Sequence, residues 1–135
     1  MKYATFSRIE RVLALVAGII NVVIGLGFFF MPEIRLPLWP NGVPDLLDRF
    51  IGAIILGNGA GALLLSTERE WARVRPLALV ATVYGTLVAV AVLYHILLLH
   101  ADSIFWLYFA ADVPFLLVFY ALFIYHDLMP GRAKP

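Results

Sequence analysis

The stretch VLALVAGIINVVIGLGFFFM, residues 12–31, decides the fold of this chain. Asn21 is the only strongly polar residue among its 20 residues. An α-helix needs roughly 17–25 predominantly apolar residues to cross the hydrocarbon core of a bilayer. The stretch is also too long for the apolar region of a cleavable signal peptide, and bulky aromatic residues stand where a cleavage site needs small ones. It therefore predicts a membrane-spanning helix.

Three further apolar runs follow, at residues 50–66, 77–99 and 104–125. Helices are the expected structure for each run, because a bilayer core has no water to satisfy backbone hydrogen bonds. Two of the three connections are so short that they favour antiparallel neighbours. We therefore predict an all-α, integral membrane four-helix bundle with up-down-up-down topology, formed by one domain over residues 1–135.

The composition indicates lipid as the solvent. Of the 135 residues, 63% are hydrophobic and 14% charged, and the mean hydropathy is +0.93. A soluble domain carries about 45–50% apolar and about 25% charged residues. The net charge is +1 without a basic block, so no nucleic-acid partner is indicated. Cysteine is absent and no histidine–carboxylate cluster has metal-ligand spacing, so we predict no metal site.

The basic residues predict the orientation. Of the 10 Lys and Arg residues, only Arg35 and Arg49 fall on the side opposite the two termini. Basic residues collect on the cytoplasmic side of a membrane. We therefore expect both termini in the cytoplasm and the protein in the cell inner membrane. In the inner connection TEREWARVR, Thr67 and Glu70 have capping-box spacing, and we expect Trp71 at the membrane interface.

Small residues recur on the first two runs. They are Ala14, Gly18 and Gly25 on the first, and Ala53, Gly57 and Gly61, four residues apart, on the second. Small residues let helix backbones approach closely in lipid, so both strips predict helix packing. The alternative is a groove that a cofactor or a partner helix fills. A phosphate-binding loop at GNGAG, residues 57–61, is excluded because no lysine follows and no strand precedes it.

An acidic residue interrupts the fourth run, in FAADVPFLLVF, residues 109–119. Asp112 would lie roughly 12 Å from the outer end of its helix, while Asn58 and Asn21 would lie roughly 13 and 15 Å deep. A charge facing lipid costs several kcal/mol, and asparagine can both donate and accept, so we predict that the three converge. Pro114 would free the carbonyl of Ala110 as a further acceptor there. The cluster either fixes helix register or binds a proton, a cation or a polar ligand head.

Two more residues are candidates for this site. Arg49 could pair with Asp45 on its own helix, or reach toward Asp112 through a water or a ligand. His95 could line the pocket near Asp112, or lie at the membrane interface. The histidines are not at matching depths, so no transmembrane haem is predicted. No cofactor is predicted, although the phenylalanines of the fourth run would accommodate a quinone or another lipophilic ligand.

The segments LWPNGVPDLLDRFIGA, residues 38–53, and LLLSTEREWARVRP, residues 63–76, carry a resemblance. They resemble uncharacterised small bacterial four-helix membrane proteins, broadly DoxX-like. The shared features are a Trp-Pro pair, then a proline, an arginine and glycines that open the second span, and then an acidic-tryptophan-basic turn. The resemblance implies the four-helix layout, and it implies no catalytic residues.

The sequence leaves three functional hypotheses. The leading one is an accessory or assembly subunit without catalysis, which packs against the bilayer and against other membrane subunits or copies of itself. The alternative is a carrier or binder of a small lipophilic or cationic ligand, centred on Asp112, Asn58 and Asn21. A membrane enzyme comes last, because we find no nucleophile and no metal site.

Overall fold

The computed structural model describes residues 5–31, 45–101 and 103–129. This part of the chain is all-helical, and four of its helices are long and apolar enough to cross a membrane. They are α1 (Arg8–Phe30), α2 (Asp45–Thr67), α3 (Trp71–Leu98) and α4 (Ile104–Phe123), and a π-helical turn (Ile124–Leu128) continues α4. The predicted all-α class is confirmed. The connection between the first two apolar runs is described only from residue 45 onward.

The helices extend beyond the apolar runs into the charged residues that flank them. α1 begins at Arg8, four residues before the run, because Ser7 and Glu10 form a capping box. The backbone N–H of Ser7 donates to the Glu10 carboxylate at 2.6 Å, and the Glu10 N–H donates to the Ser7 hydroxyl at 3.3 Å. The predicted capping box at Thr67 is wrong: its hydroxyl donates to the Leu64 carbonyl at 2.8 Å, at the end of α2.

The chain divides into two compact units, each built on one pair of helices. Of the described residues, 6–31 and 45–69 form the first unit, which we call the α1–α2 hairpin. Residues 70–101 and 103–129 together with Thr5 form the second, which we call the α3–α4 hairpin. A short backbone link closes the first unit, since the Phe6 N–H donates to the Arg69 carbonyl at 2.8 Å. In the second, Thr5 forms an isolated β-bridge with Glu70.

In the α1–α2 hairpin, each helix offers glycines to large side chains of the other. The four pairs are Gly18 with Leu63, Val22 with Gly59, Gly25 with Leu56, and Phe29 with Gly52. Residue numbers rise along α1 while they fall along α2, so these two helices are antiparallel. Glycine and a bulky residue alternate on both sides of this contact line, which we call the glycine seam.

The glycine seam brings the two backbones into direct contact. A Cβ atom added at any of its four glycines would lie 2.6 to 2.9 Å from a backbone nitrogen of the opposite helix. Real Cβ atoms essentially never come that close. Small residues at a helix interface allow this approach in lipid, where hydrophobicity gives helices no drive to associate. Only glycine fits these four positions without separating the helices.

The seam does not follow the predicted four-residue strip on α2. Its glycines lie seven residues apart, at 18 and 25 and at 52 and 59, a spacing that keeps one face toward a closely packed partner. Gly57 instead has no atom within 4 Å of an added Cβ, and Ala53 is exposed. Gly61 and Ala14 are half-buried. Of the predicted packing residues, Gly18 and Gly25 lie in the seam and Gly57 does not.

Large apolar side chains cover the outer faces of the helices. Examples are Ile9, Leu87 and Leu128, which are 74%, 64% and 75% exposed. A soluble domain rarely exposes apolar patches larger than a few hundred Å². Apolar surfaces of this kind suit contact with the hydrocarbon core of a membrane, which the four helices are long enough to cross.

Candidate functional site

Asp112 lies on the side of α4 that faces α3. It is the ninth residue of α4, about 12 Å along the axis from the first one. Its Oδ1 atom is 3.6 Å from the point where a Cβ would stand on Gly85 of α3. Leu116, one turn further along α4, comes within 3.5 Å of the same point. Gly85 therefore leaves space beside the carboxyl group that a larger side chain would fill.

The second carboxyl oxygen of Asp112 is buried and unsatisfied. Its Oδ2 atom is inaccessible to solvent, and no hydrogen-bond partner for it is found within the described residues. Burying a carboxyl without a hydrogen bond costs several kcal/mol, so buried polar atoms in proteins almost always have a partner. Such an exception in a membrane-spanning helix indicates a place for a proton, a cation or another ligand group.

The nearby hydroxyl groups of the α3–α4 hairpin are already satisfied. The Thr82 hydroxyl donates to the Ala78 carbonyl at 2.8 Å, and the Thr86 hydroxyl donates to the Thr82 carbonyl at 2.7 Å. The Tyr120 hydroxyl lies 2.9 Å from the Thr86 hydroxyl. Since the Thr86 proton is used within α3, Tyr120 donates in this contact. These groups link α3 to α4 and do not satisfy Asp112.

The proline of this segment lies on the exposed side of α4. Ala110 and Pro114 are both exposed, whereas Asp112 is half-buried against α3. The role of the Ala110 carbonyl as an acceptor for Asp112 stays a prediction.

The two asparagines belong to the α1–α2 hairpin. The Asn21 amide donates to the Ala17 carbonyl of its own helix at 2.9 Å, and its Cβ lies 3.2 Å from a Cβ added at Gly59. Asn21 is therefore at the glycine seam. Asn58 is half-buried next to Gly59, and the described residues contain no hydrogen bond of its side chain. Their convergence with Asp112 joins residues of two units and stays a prediction.

Arg49 caps the end of α1. Its Nη1 atom donates to the Phe29 carbonyl at 2.8 Å. The last four carbonyls of a helix lack intrahelical donors, and a cation is favourable at this negative end. The contact joins the start of α2 to the end of α1. Its predicted reach toward Asp112 stays a prediction.

His95 does not lie beside Asp112 within the α3–α4 hairpin. Its Nδ1 atom is 2.8 Å from the Ala91 carbonyl of its own helix, and the residue is exposed. It follows Gly85, the neighbour of Asp112, by ten residues, which is about 15 Å along α3. His95 forms an edge-to-face contact with Tyr94, with 5.7 Å between ring centroids.

Sequence reasoning missed a second buried carboxylate. Asp48 is 3% exposed, and its Oδ1 atom has no hydrogen-bond partner in the described part of the chain. The spacing of residues on α2 could have revealed this burial. The face of α2 that packs on α1 carries Asp48, Gly52 and Gly59, at intervals of four and seven residues.

A polar cluster joins the start of α3 to the π-helical turn. Asp127 accepts from Trp71 Nε1 at 2.7 Å through Oδ1, and from Arg75 Nε at 2.8 Å through Oδ2. The Trp71 ring stacks on His126 with 4.6 Å between centroids and 17° between planes. Trp71 and His126 are each only 4% exposed. We call these four residues the Asp127 cluster.

The Asp127 cluster gives Trp71 a partner that the sequence did not indicate. The tryptophan is buried inside the α3–α4 hairpin, and its predicted place at the membrane interface stays a prediction. Sequence reasoning missed its partner because Asp127 is 56 residues away and is presented by a π-helical turn. Turns of this kind are rare and occur frequently at functional sites.

No protein family model, no curated protein and no solved structure matches the chain. Within the described residues, no group of three or more His, Cys, Asp or Glu side chains could hold a metal ion.

Proposed function

We propose that this multi-pass membrane protein binds a small cation, or the cationic head of a lipophilic ligand, at Asp112. The proposal takes the chain as an up-down-up-down four-helix bundle in the cell inner membrane, with both termini in the cytoplasm. The excess of basic residues on the side of the termini supports this orientation. The DoxX-like resemblance supports the four-helix layout and says nothing of the ligand.

The observation that carries the proposal is the unsatisfied Oδ2 atom of Asp112. A cation would supply the missing partner of Oδ2, and Gly85 leaves the space of about one methyl group beside Oδ1. A lipophilic ligand such as a quinone, suggested by the phenylalanines of the fourth run, stays a prediction.

Binding of tetraphenylphosphonium, a lipophilic cation, tests the proposal. We expect the full chain in mild detergent to bind the probe in equilibrium dialysis, and Asp112→Asn to bind it at least about tenfold more weakly. Asp48→Asn is the matched control, because it makes the same change at the other buried carboxylate, and it should keep wild-type affinity. Equal affinities of Asp112→Asn and wild type, with unchanged helicity, would reject the proposal.

A second candidate function is an accessory or assembly subunit. The observation that favours it is Gly57, which is exposed with nothing within 4 Å of an added Cβ, beside the exposed Ala53. The seam glycines do not favour it, because their contacts are made within the chain. Gly57 and Ala53 are thus the small residues of the predicted strips that remain open to another helix.

Cysteine crosslinking tests this second function, because the chain has no cysteine of its own. Gly57→Cys in native membranes should form a disulfide dimer if the partner is a second copy, or a maleimide-crosslinked adduct if it is another subunit. Gly27→Cys is the matched control, since Gly27 also has nothing within 4 Å of an added Cβ. Equal yields of adduct at the two positions would argue against a Gly57 interface.

A further inference from the structure

We infer that Arg75 binds the phosphate group of an anionic phospholipid, with its guanidinium held in place by the Asp127 cluster. The inference stands apart from the proposed function, since it uses none of the residues around Asp112. It rests on how the two oxygens of Asp127 are shared, on the exposure of Arg75 and on its place in the helix.

The first step concerns the hydrogen bonds of Asp127. An arginine commonly meets a carboxylate with two parallel hydrogen bonds, one to each oxygen. Here Trp71 takes Oδ1, so Arg75 binds only Oδ2 and uses only Nε. Both Nη atoms, with four N–H groups, have no hydrogen bond within the described residues. A phosphate can accept two of these N–H groups at once.

The second step concerns exposure and rigidity. The Arg75 side chain is 57% exposed, whereas that of Asp127 is 26% exposed. The carboxylate is fixed in turn by Trp71, which packs edge-to-face on Phe123 at 5.3 Å and stacks on His126. The guanidinium is thus oriented before any ligand arrives, which lowers the entropic cost of binding. A freely rotating surface arginine lacks this advantage.

The third step concerns the local charge. Arg75 is the fifth residue of α3, near the positive end of the helix dipole, and the first turn of α3 contains no acidic residue. Arg73, two residues earlier, pairs with Glu70 at 3.3 Å, and Arg75 pairs with Asp127 at 2.8 Å, so each cation has one carboxylate partner. The two differ in orientation, because Asp127 is itself fixed by Trp71 and Glu70 lies at the exposed start of α3. Arg75 therefore offers the better oriented cation of the two to an incoming anion.

The fourth step identifies the anion. Trp71 and Arg75 open one span-length helix, and Asp127 ends another. The ends of membrane-spanning helices lie at headgroup level, where the phosphates of anionic lipids attract basic residues. The structure thus assigns Arg75 to a lipid phosphodiester rather than to a soluble phosphate.

Lipid titration of the purified full chain in a neutral detergent tests the inference. We expect short-chain phosphatidylglycerol to raise the thermal unfolding midpoint and to remain bound in native mass spectrometry. Phosphatidylcholine and inorganic phosphate at the same concentration should do neither. In Arg75→Gln the affinity for phosphatidylglycerol should fall about tenfold, while the matched variant Arg73→Gln should stay within about twofold of wild type.

Further variants keep the test decisive if Arg75→Gln unfolds. Arg75→Lys keeps the charge but not the planar guanidinium, and Asp127→Asn keeps an acceptor for Trp71 but loses the charge that holds Nε. Each should bind phosphatidylglycerol several-fold more weakly at unchanged helicity. Wild-type affinity in Arg75→Gln or in Arg75→Lys would overturn the inference. Competition by inorganic phosphate equal to that by the lipid would also overturn it, in favour of a soluble-anion site.

Discussion

The two hairpins are held together in different ways. α1 and α2 meet backbone to backbone along the glycine seam, where an added Cβ would come within 2.9 Å or less of a backbone nitrogen. α3 and α4 are joined by polar side chains, through Asp127 at one place and through Thr86 and Tyr120 at another. Gly85 has only ordinary contacts, at 3.5 Å or more from the nearest atoms to an added Cβ.

The difference shows two solutions to one physical problem. Helices in lipid gain little from hydrophobicity, so they associate by close van der Waals packing or by hydrogen bonds between side chains. The first solution leaves no space between the helices and allows no larger residue at the seam. The second separates the helices by side chains and leaves space for a group such as Asp112. We therefore expect the α1–α2 hairpin to be the scaffold and the α3–α4 hairpin to carry the chemistry.

The largest expected effect comes from breaking the glycine seam. In Gly52→Ala the new Cβ would meet the Phe29 nitrogen at 2.6 Å, which forces the helices apart. We expect the free energy of unfolding to fall by about 3 kcal/mol, at the upper end for overpacked sites. Denaturant titration in micelles, followed by circular dichroism, would measure it.

The matched control is Gly57→Ala, five residues along the same helix, where an added Cβ meets nothing within 4 Å. It should leave stability unchanged or raise it by up to about 1 kcal/mol, since alanine is the better helix former. Equal losses at the two positions would show that helix propensity, and not the seam, determines the effect.

A smaller effect is expected from the Asp127 cluster. Asp127→Ala removes two hydrogen bonds to a carboxylate and leaves the buried Trp71 N–H without its acceptor. The loss should be about 2 kcal/mol. Thermal unfolding with tryptophan fluorescence would measure it. Glu70→Gln, which breaks only the exposed ion pair with Arg73, should change stability by less than about 0.5 kcal/mol. If Asp127→Ala were equally mild, the cluster would not hold α3 to α4.

The smallest expected effect is at the Thr86–Tyr120 hydrogen bond. Tyr120→Phe should lower the free energy of unfolding by about 0.6 kcal/mol, the average for such bonds between membrane helices. A double-mutant cycle with Thr86→Val isolates the pair from the bond that Thr86 makes within α3. A coupling energy of zero would remove this contact from the description of the α3–α4 hairpin.

The helices follow from the sequence because apolar length is a local property. Each of the four runs is long enough to span a bilayer, and each forms a helix. Capping-box spacing at Thr67 and Glu70 predicts a box where none forms, because α2 extends through Thr67, while sequence reasoning missed the same spacing at Ser7 and Glu10, where one does form. A capping motif alone does not decide between the end of one helix and the start of the next.

The contacts between helices were less predictable. The glycines of α2 are compatible with two packing patterns, one with a spacing of four residues through Gly57 and one with a spacing of seven through Gly52 and Gly59. The contacts with α1 show that the pattern of seven is the one that forms. The contact of Trp71 was missed because its acceptor Asp127 is distant in sequence. Reasoning from cost predicted that Asp112 faces another helix, and it faces α3, while its convergence with Asn21 and Asn58 stays a prediction.

The central claim is that Asp112 offers a buried carboxyl group to a ligand. Dicyclohexylcarbodiimide is lipophilic and couples to carboxyl groups inside membranes, and mass spectrometry of peptides locates the adduct. We predict that Asp112 is labelled, and that tetraphenylphosphonium slows its labelling about tenfold while labelling at Asp48 is unchanged. Labelling of Asp112 at the same rate with and without the cation would contradict the claim.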